Sequence, residues 1–180
     1  MRLIGDIHGD IYSYAAIISE CDESVQIGDF GIGFIRDDGI VDDIHREGNH
    51  RFIRGNHDDP GRCKQRVGYI EDGTFDEDRS ILYIGGAWSI DKWARTPGLN
   101  WWPDEELSVS ELVRMHELMM YHKPKTVITH DCPTSIAWKF FIEPTNKRQF
   151  LTQTAEAFEG MFQRHQPDTW IFGHWHENRD

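Results

Sequence analysis

Short apolar runs that each stop at a glycine or a polar turn constrain this chain more than any other feature. Arg2–Ile4 leads into Gly5-Asp6, Val25–Ile27 into Gly28-Asp29, and Arg51–Arg54 into Gly55-Asn56. Farther on, Ile81–Ile84 leads into Gly85-Gly86, Thr126–Thr129 into His130-Asp131, and Thr169–Phe172 into Gly173-His174. These runs are rich in β-branched and aromatic residues and too short for helices, so they read as buried strands. Helical patterns separate them. Ile11–Glu20 carries an apolar face, and Ser108–Tyr121 opens on a capping-box pair, Ser108 and Glu111, and is stopped by Pro124. Gln149–His165 is a third, closed by Pro167. Strands alternating with helices predict an α/β architecture with helix-covered sheets. In such folds function gathers at the carboxyl ends of strands.

The polar clusters fall at those ends. They are Gly5-Asp6-Ile7-His8-Gly9, Gly28-Asp29, Gly55-Asn56-His57-Asp58, Thr129-His130-Asp131 and Gly173-His174-Trp175-His176. Asp6 and His8 alternate by two, as do His174 and His176, so on an extended stub each pair faces one way. Together the clusters supply Asp6, His8, Asp29, Asn56, His130, His174 and His176 as candidate metal ligands. Seven oxygen and nitrogen donors are too many for one ion and suit two. Carboxylate with imidazole favours borderline or moderately hard metals such as manganese, iron or zinc, with no thiolate required. Two such ions can clamp both the nucleophile and a phosphoryl oxygen of an in-line displacement.

In this order the segments resemble the calcineurin-like metallophosphoesterase superfamily, whose pattern is DxH, GD, GNH[DE], H, GHxH. The match runs from Asp6 to His176. The resemblance implies a four-layer α/β/β/α sandwich of two mixed sheets flanked by helices. It assigns Asp6, His8 and His176 to one metal and Asn56, His130 and His174 to the other, with Asp29 bridging. It makes His57 the catalytic histidine. Asp58 either orients His57 by hydrogen bonding or caps a turn. The implied cofactor is a pair of divalent ions, manganese first, with iron, zinc or nickel as alternatives. The implied reaction is phosphoester hydrolysis by a metal-bridging hydroxide, with no phosphoenzyme. Phosphatase-like activity is favoured over a phosphodiesterase acting on cyclic or short nucleotides, and over a catalytically silent scaffold. Protein Ser/Thr phosphatases of the superfamily read GDxxDRG and GNHE. This chain has Gly28-Asp29-Phe30-Gly31-Ile32-Gly33 and GNHD, so the phosphate-gripping arginine is missing at its usual place, although Arg54 echoes those enzymes.

The 180 residues suffice for a single domain, expected over 1–180; relatives continue past GHxH into a closing strand or hairpin, so either the sheet is closed differently, the protein is unusually small, or the sequence is a trimmed form. That ending puts His176 near a fraying terminus. A net charge of −12 excludes an electrostatic footprint for long nucleic acid but leaves room for a phosphorylated small molecule, nucleotide or phosphoprotein. No apolar run is long enough for a membrane, and the first motif begins too early for a leader. Cys21, Cys63 and Cys132 form no disulfide or zinc pattern, so a cytoplasmic location is expected.

Four of the seven tryptophans lie in the stretch from Trp88 to Trp102, beside Lys92 and Arg95. The tryptophans are expected to pack the loop onto the sheet. Lys92 and Arg95 are the candidate substrate contacts. The Asp72–Asp78 run reads as a solvated turn. His45, His50, His116, His122 and His165 read as surface or helix-face residues, and Cys132 as a small buried hydrophobe.

Overall fold

The computed structural model describes residues 1–36, 38–143, 145–146 and 150–177. Among the described residues, seven strands form two sheets. The first holds β1 (Arg2–Ile4), β2 (Glu23–Ile27) and β3 (Asn49–Ile53) in that order and is parallel throughout. The second holds β4 (Thr74–Asp76), β5 (Ile81–Ile84), β6 (Thr126–Thr129) and β7 (Thr169–Phe172). Only β4 runs antiparallel, so this sheet alone is mixed.

The helices are α1 (Ile11–Ile18), α2 (Gly39–Arg46), α3 (Pro60–Cys63), α4 (Val109–His122), α5 (Thr134–Phe140) and α6 (Gln153–Arg164). Local chemistry fixes where several begin. Asp10 closes the first motif and caps α1 by accepting from the Ser13 amide. Asp59 follows the GNHD segment and caps α3, with Pro60 in the first turn. Ser108 and Glu111 make the predicted capping box at α4. Gln149, the expected start of the third helix, and Asn178–Asp180 lie outside the described residues. The helix seen there begins at Gln153, where Thr152 caps it.

Alternation along the strands sorts the core into layers. Val25, Ile27 and Ile53 of the first sheet meet Ile81, Tyr83 and Ile128 of the second in one cluster between the sheets. On the far side of the first sheet, Ile4 and Phe52 pack with Ile11, Tyr14 and Ile18 of α1 and Val41 of α2. On the far side of the second, Leu82, Ile84 and Val127 pack with Leu112, Met115 and Met119 of α4 and Phe158 and Met161 of α6. Helices α1 and α2 thus pack with the first sheet, and α4 and α6 with the second.

Two expectations are corrected. Within Asp72–Asp78, Thr74–Asp76 is a strand, because Phe75 packs into the α4 cluster and stacks on His122 at 4.1 Å. His50 is neither on the surface nor on a helix: it is buried on β3 against the Ser24 hydroxyl, whereas His45 does lie on a helix face, the buried one of α2, between the Tyr14 hydroxyl and the Val67 carbonyl. Among the described residues, no helix is long and apolar enough to cross a membrane.

Candidate metal centre

The candidate ligands sit just past the strand ends, on turns rather than extended stubs. β1 stops at Ile4 and β7 at Phe172. His8, Asp29, His174 and His176 have φ of 45°, 55°, 69° and 51°. Alternation therefore does not aim the Asp6/His8 and His174/His176 pairs; left-handed turns do. Each non-glycine residue in that region costs on the order of 1 kcal/mol, and such strain collects where a side chain must point one way. Backbone contacts hold the turns. The His8 amide donates to the Asp29 carbonyl (2.9 Å), and the His57 amide to Asp29 Oδ1 (2.7 Å). The His174 amide reaches both Asp6 oxygens (3.2 and 3.0 Å).

Asp58 lies beneath them, fully buried. Its carboxylate accepts from the amides of Phe30, Gly31, Ile32 and Gly55 over 2.7–3.1 Å. Both oxygens are thus occupied by the two turns that follow β2 and β3. Of the two roles open to Asp58, this geometry fits the organiser of turns. Close approach matters here too: a methyl group on Gly55 would overlap the Asp29 carboxylate, and one on Gly28 would overlap the His130 ring.

The donor atoms gather into two groups that share one residue. His8, Asp29 and His176 offer atoms within 4.8 Å of one another, and so do Asp29, His130 and His174. Asp6 lies beside both groups, 3.6 Å from His130 Nδ1 and 3.8 Å from His176 Nε2. Asn56 Oδ1 lies 3.1 Å from His130 Nε2. All seven sequence-predicted ligands are brought together.

The donor set fits cations. His130 Nδ1 donates to the Ile27 carbonyl at 2.9 Å, which leaves Nε2 as the ligating nitrogen of a neutral ring. That nitrogen faces two acceptors, Asn56 Oδ1 and Asp29 Oδ1, at 3.1 and 3.2 Å. Three lone pairs converging on one point need a positive charge between them. Without a metal, a proton serves: burial opposes it, but Asp29 and Asp6 raise the His130 pKa to about 10. Asp29 is also buried, yet His130, His57 and His174 hold its carboxyl well below the usual range. On the other side, His8 Nε2 and His176 Nε2 face each other at 3.0 Å.

A cavity of about 330 Å³ opens from this cluster. It is lined by Asp29, Asn56, Asp131, His174 and His176, together with Trp88, Ile90, Phe150 and Trp175. His57 and Arg95 also line it, the guanidinium 2.9 Å from His57 Nε2 and 3.2 Å from Nδ1. Burial lowers the His57 pKa to about 4; Asp29 opposes the shift and Arg95 adds to it. A neutral imidazole has one bare nitrogen, so only one of the two Arg95 contacts is a hydrogen bond. Arg95 also pairs with Asp91 at 2.8 Å. Lys92 is elsewhere. Its ammonium lies 5.3, 5.2 and 5.9 Å over the rings of Trp88, Trp93 and Trp101, and the side chain does not line the cavity.

A model of the calcineurin-like phosphoesterase family matches residues 2–178. The chain belongs to that family. No curated protein and no solved structure gives a significant match. A calcineurin-like phosphoesterase is, in general terms, a metal-dependent hydrolase of phosphoester bonds, and the chain carries two donor groups that could each hold a metal ion. The family pattern does not extend to three neighbours of its ligands. Ser89 and Glu105 hold Asn56 from behind, and Gln26 binds the Gly5 carbonyl and both backbone groups of Gly28, tying two motif turns together. A serine, a glutamate and a glutamine outside any motif carry no signal that would single them out in a sequence.

Proposed function

We propose that this chain hydrolyses small phosphate monoesters using two divalent cations, manganese first among them. The single observation that carries this reading is the sharing of Asp29 between two histidine-bearing donor groups. Asp6, His8 and His176 would hold one ion, Asn56, His130 and His174 the other, and Asp29 both. Bound there, the ions supply an activated water and neutralise charge on the phosphoryl oxygens.

The chain's own residues do the rest. Arg95 lines the cavity and presents N–H donors matched to phosphoryl oxygens. His57, with its amide fixed on Asp29, keeps its ring 4.9 Å from that of His8, centroid to centroid. As a neutral imidazole it donates its one N–H to a phosphoryl or leaving-group oxygen. Trp88, Ile90, Phe150 and Trp175 give the leaving group an apolar wall. The volume is at the small end of ligand pockets and suits a small molecule. The net charge of −12 disfavours long polynucleotides.

The test compares para-nitrophenyl phosphate with its bis ester at measured manganese content. Faster kcat/KM on the monoester supports the proposal, and preference for the bis ester shifts it to a phosphodiesterase. No turnover of either, with both ions bound, leaves a scaffold.

A further inference from the structure

Asn56 is an amide, and an amide can ligate only through oxygen. Its two ends have nearly the same shape, so something must fix which one faces His130. Packing cannot do this; hydrogen-bond polarity can.

The chain of contacts behind Asn56 has one direction. The Ser89 amide donates to Glu105 Oε1 at 2.9 Å, and the Ser89 hydroxyl donates to Glu105 Oε2 at 2.6 Å. The hydroxyl has one hydrogen, and Glu105 takes it. Toward Asn56, Ser89 Oγ can therefore only accept, and it receives the Asn56 Nδ2 hydrogen at 2.9 Å. The amide oxygen is left facing His130 Nε2 at 3.1 Å. Asn56, Ser89 and Glu105 are 3%, 1% and 2% exposed, so water does not compete for these bonds. Glu105 is itself anchored, since Arg54 donates to the Asp104 and Glu105 carbonyls at 3.0 and 2.8 Å while pairing with Asp72 at 2.9 Å.

We infer that Ser89 and Glu105 are positioning residues that orient the Asn56 amide for metal binding. The inference rests on Asn56 being a ligand, as proposed above. Removing the hydroxyl frees the amide to turn. Replacing Glu105 with glutamine offers Ser89 a donor in place of an acceptor, which reverses the chain and presents the wrong end of Asn56. Outer partners of metal ligands commonly change affinity by about 10–100-fold.

The experiment is calorimetric titration of Mn²⁺ into the metal-stripped full chain. Ser89→Ala and Glu105→Gln should each weaken one of two Mn²⁺ sites by about tenfold or more. Ser89→Thr, which keeps the hydroxyl, should retain parental affinity. In an Asn56→Ala background, which has already lost that site's oxygen ligand, Ser89→Ala should cost nothing further. Parental affinities in Ser89→Ala, or an equal loss with and without Asn56, would overturn the inference. If Asn56→Ala itself binds both ions normally, the ligand assignment is at fault. Should Glu105→Gln fail to fold, the Ser89→Ala and Ser89→Thr pair decides alone.

Discussion

Asp29 and His130 meet at 3.2 Å, Oδ1 to Nε2, while the other Asp29 oxygen lies 3.7 Å from His8. One carboxylate thus faces a histidine from each donor group. Asp29→Asn removes the charge and makes one of those two atoms a donor. Binding of both Mn²⁺ ions should weaken together by about tenfold or more, as seen by elemental analysis after dialysis against limiting manganese. Loss of one ion with full retention of the other would show that Asp29 serves a single site.

Arg95 and Lys92 occupy one short loop and should behave differently. Arg95 lines the cavity against His57, whereas Lys92 is held among three tryptophan rings. A charge-assisted hydrogen bond to a phosphoryl group is worth roughly tenfold to a hundredfold. Arg95→Ala should lower kcat/KM for para-nitrophenyl phosphate by that factor at unchanged metal content, and Lys92→Ala should stay within about twofold. Equal losses in the two variants would mean that the loop acts as a whole.

The candidate ligands were legible in the sequence because they cluster within a few residues of strand ends, mostly behind a glycine, a pattern local enough to see. How they are aimed was not. Alternation predicts extended stubs at His8 and His174, but both residues are left-handed, and only the amide contacts to Asp29 and Asp6 explain why. Strands β1, β5, β6 and β7 fall where the apolar runs put them. Helices α2, α3 and α5 escaped notice because all are short, and α2 and α5 also have no side-chain cap. β4 was hidden by its charges: Asp72 and Asp76 mask a strand whose one large apolar residue, Phe75, turns inward. Ser89 and Glu105 act through contacts across many residues of chain, which no spacing rule encodes.

The same distance from the sequence applies to Arg54. It sits beside the GNHD segment but turns away from it, into Asp72, with side chains 5% and 16% exposed. Asp72→Ala would leave a buried guanidinium without its counter-ion, and breaking such a pair costs about 3–5 kcal/mol. The exposed Arg46–Asp43 pair, at the same 2.9 Å, should cost under about 1 kcal/mol on Asp43→Ala. Urea unfolding of the two variants measures the contrast. Comparable destabilisation would mean that Asp72 contributes no more than a surface charge.

His45 gives stability a pH dependence that can be isolated. Its Nδ1–H donates to the Val67 carbonyl at 2.8 Å, and its Nε2 accepts the Tyr14 hydroxyl at 2.7 Å, so both nitrogens are satisfied only in the neutral ring. Burial lowers its pKa in the folded chain, with the Val67 bond opposing. The unfolded chain takes up this proton at about pH 6.5. As pH falls below that value, the unfolded state binds a proton that the folded state refuses, and stability declines by up to about 1.4 kcal/mol per pH unit. The contribution is fully present above the unfolded pKa and lost toward the lower folded one. His45→Gln cannot titrate, so its urea stability, measured without metal between pH 7 and 5, should fall less steeply than the parent's. The difference in slope reports this one proton even if the variant is less stable throughout. Parallel curves would show that His45 is protonated as readily in the folded chain as in the unfolded.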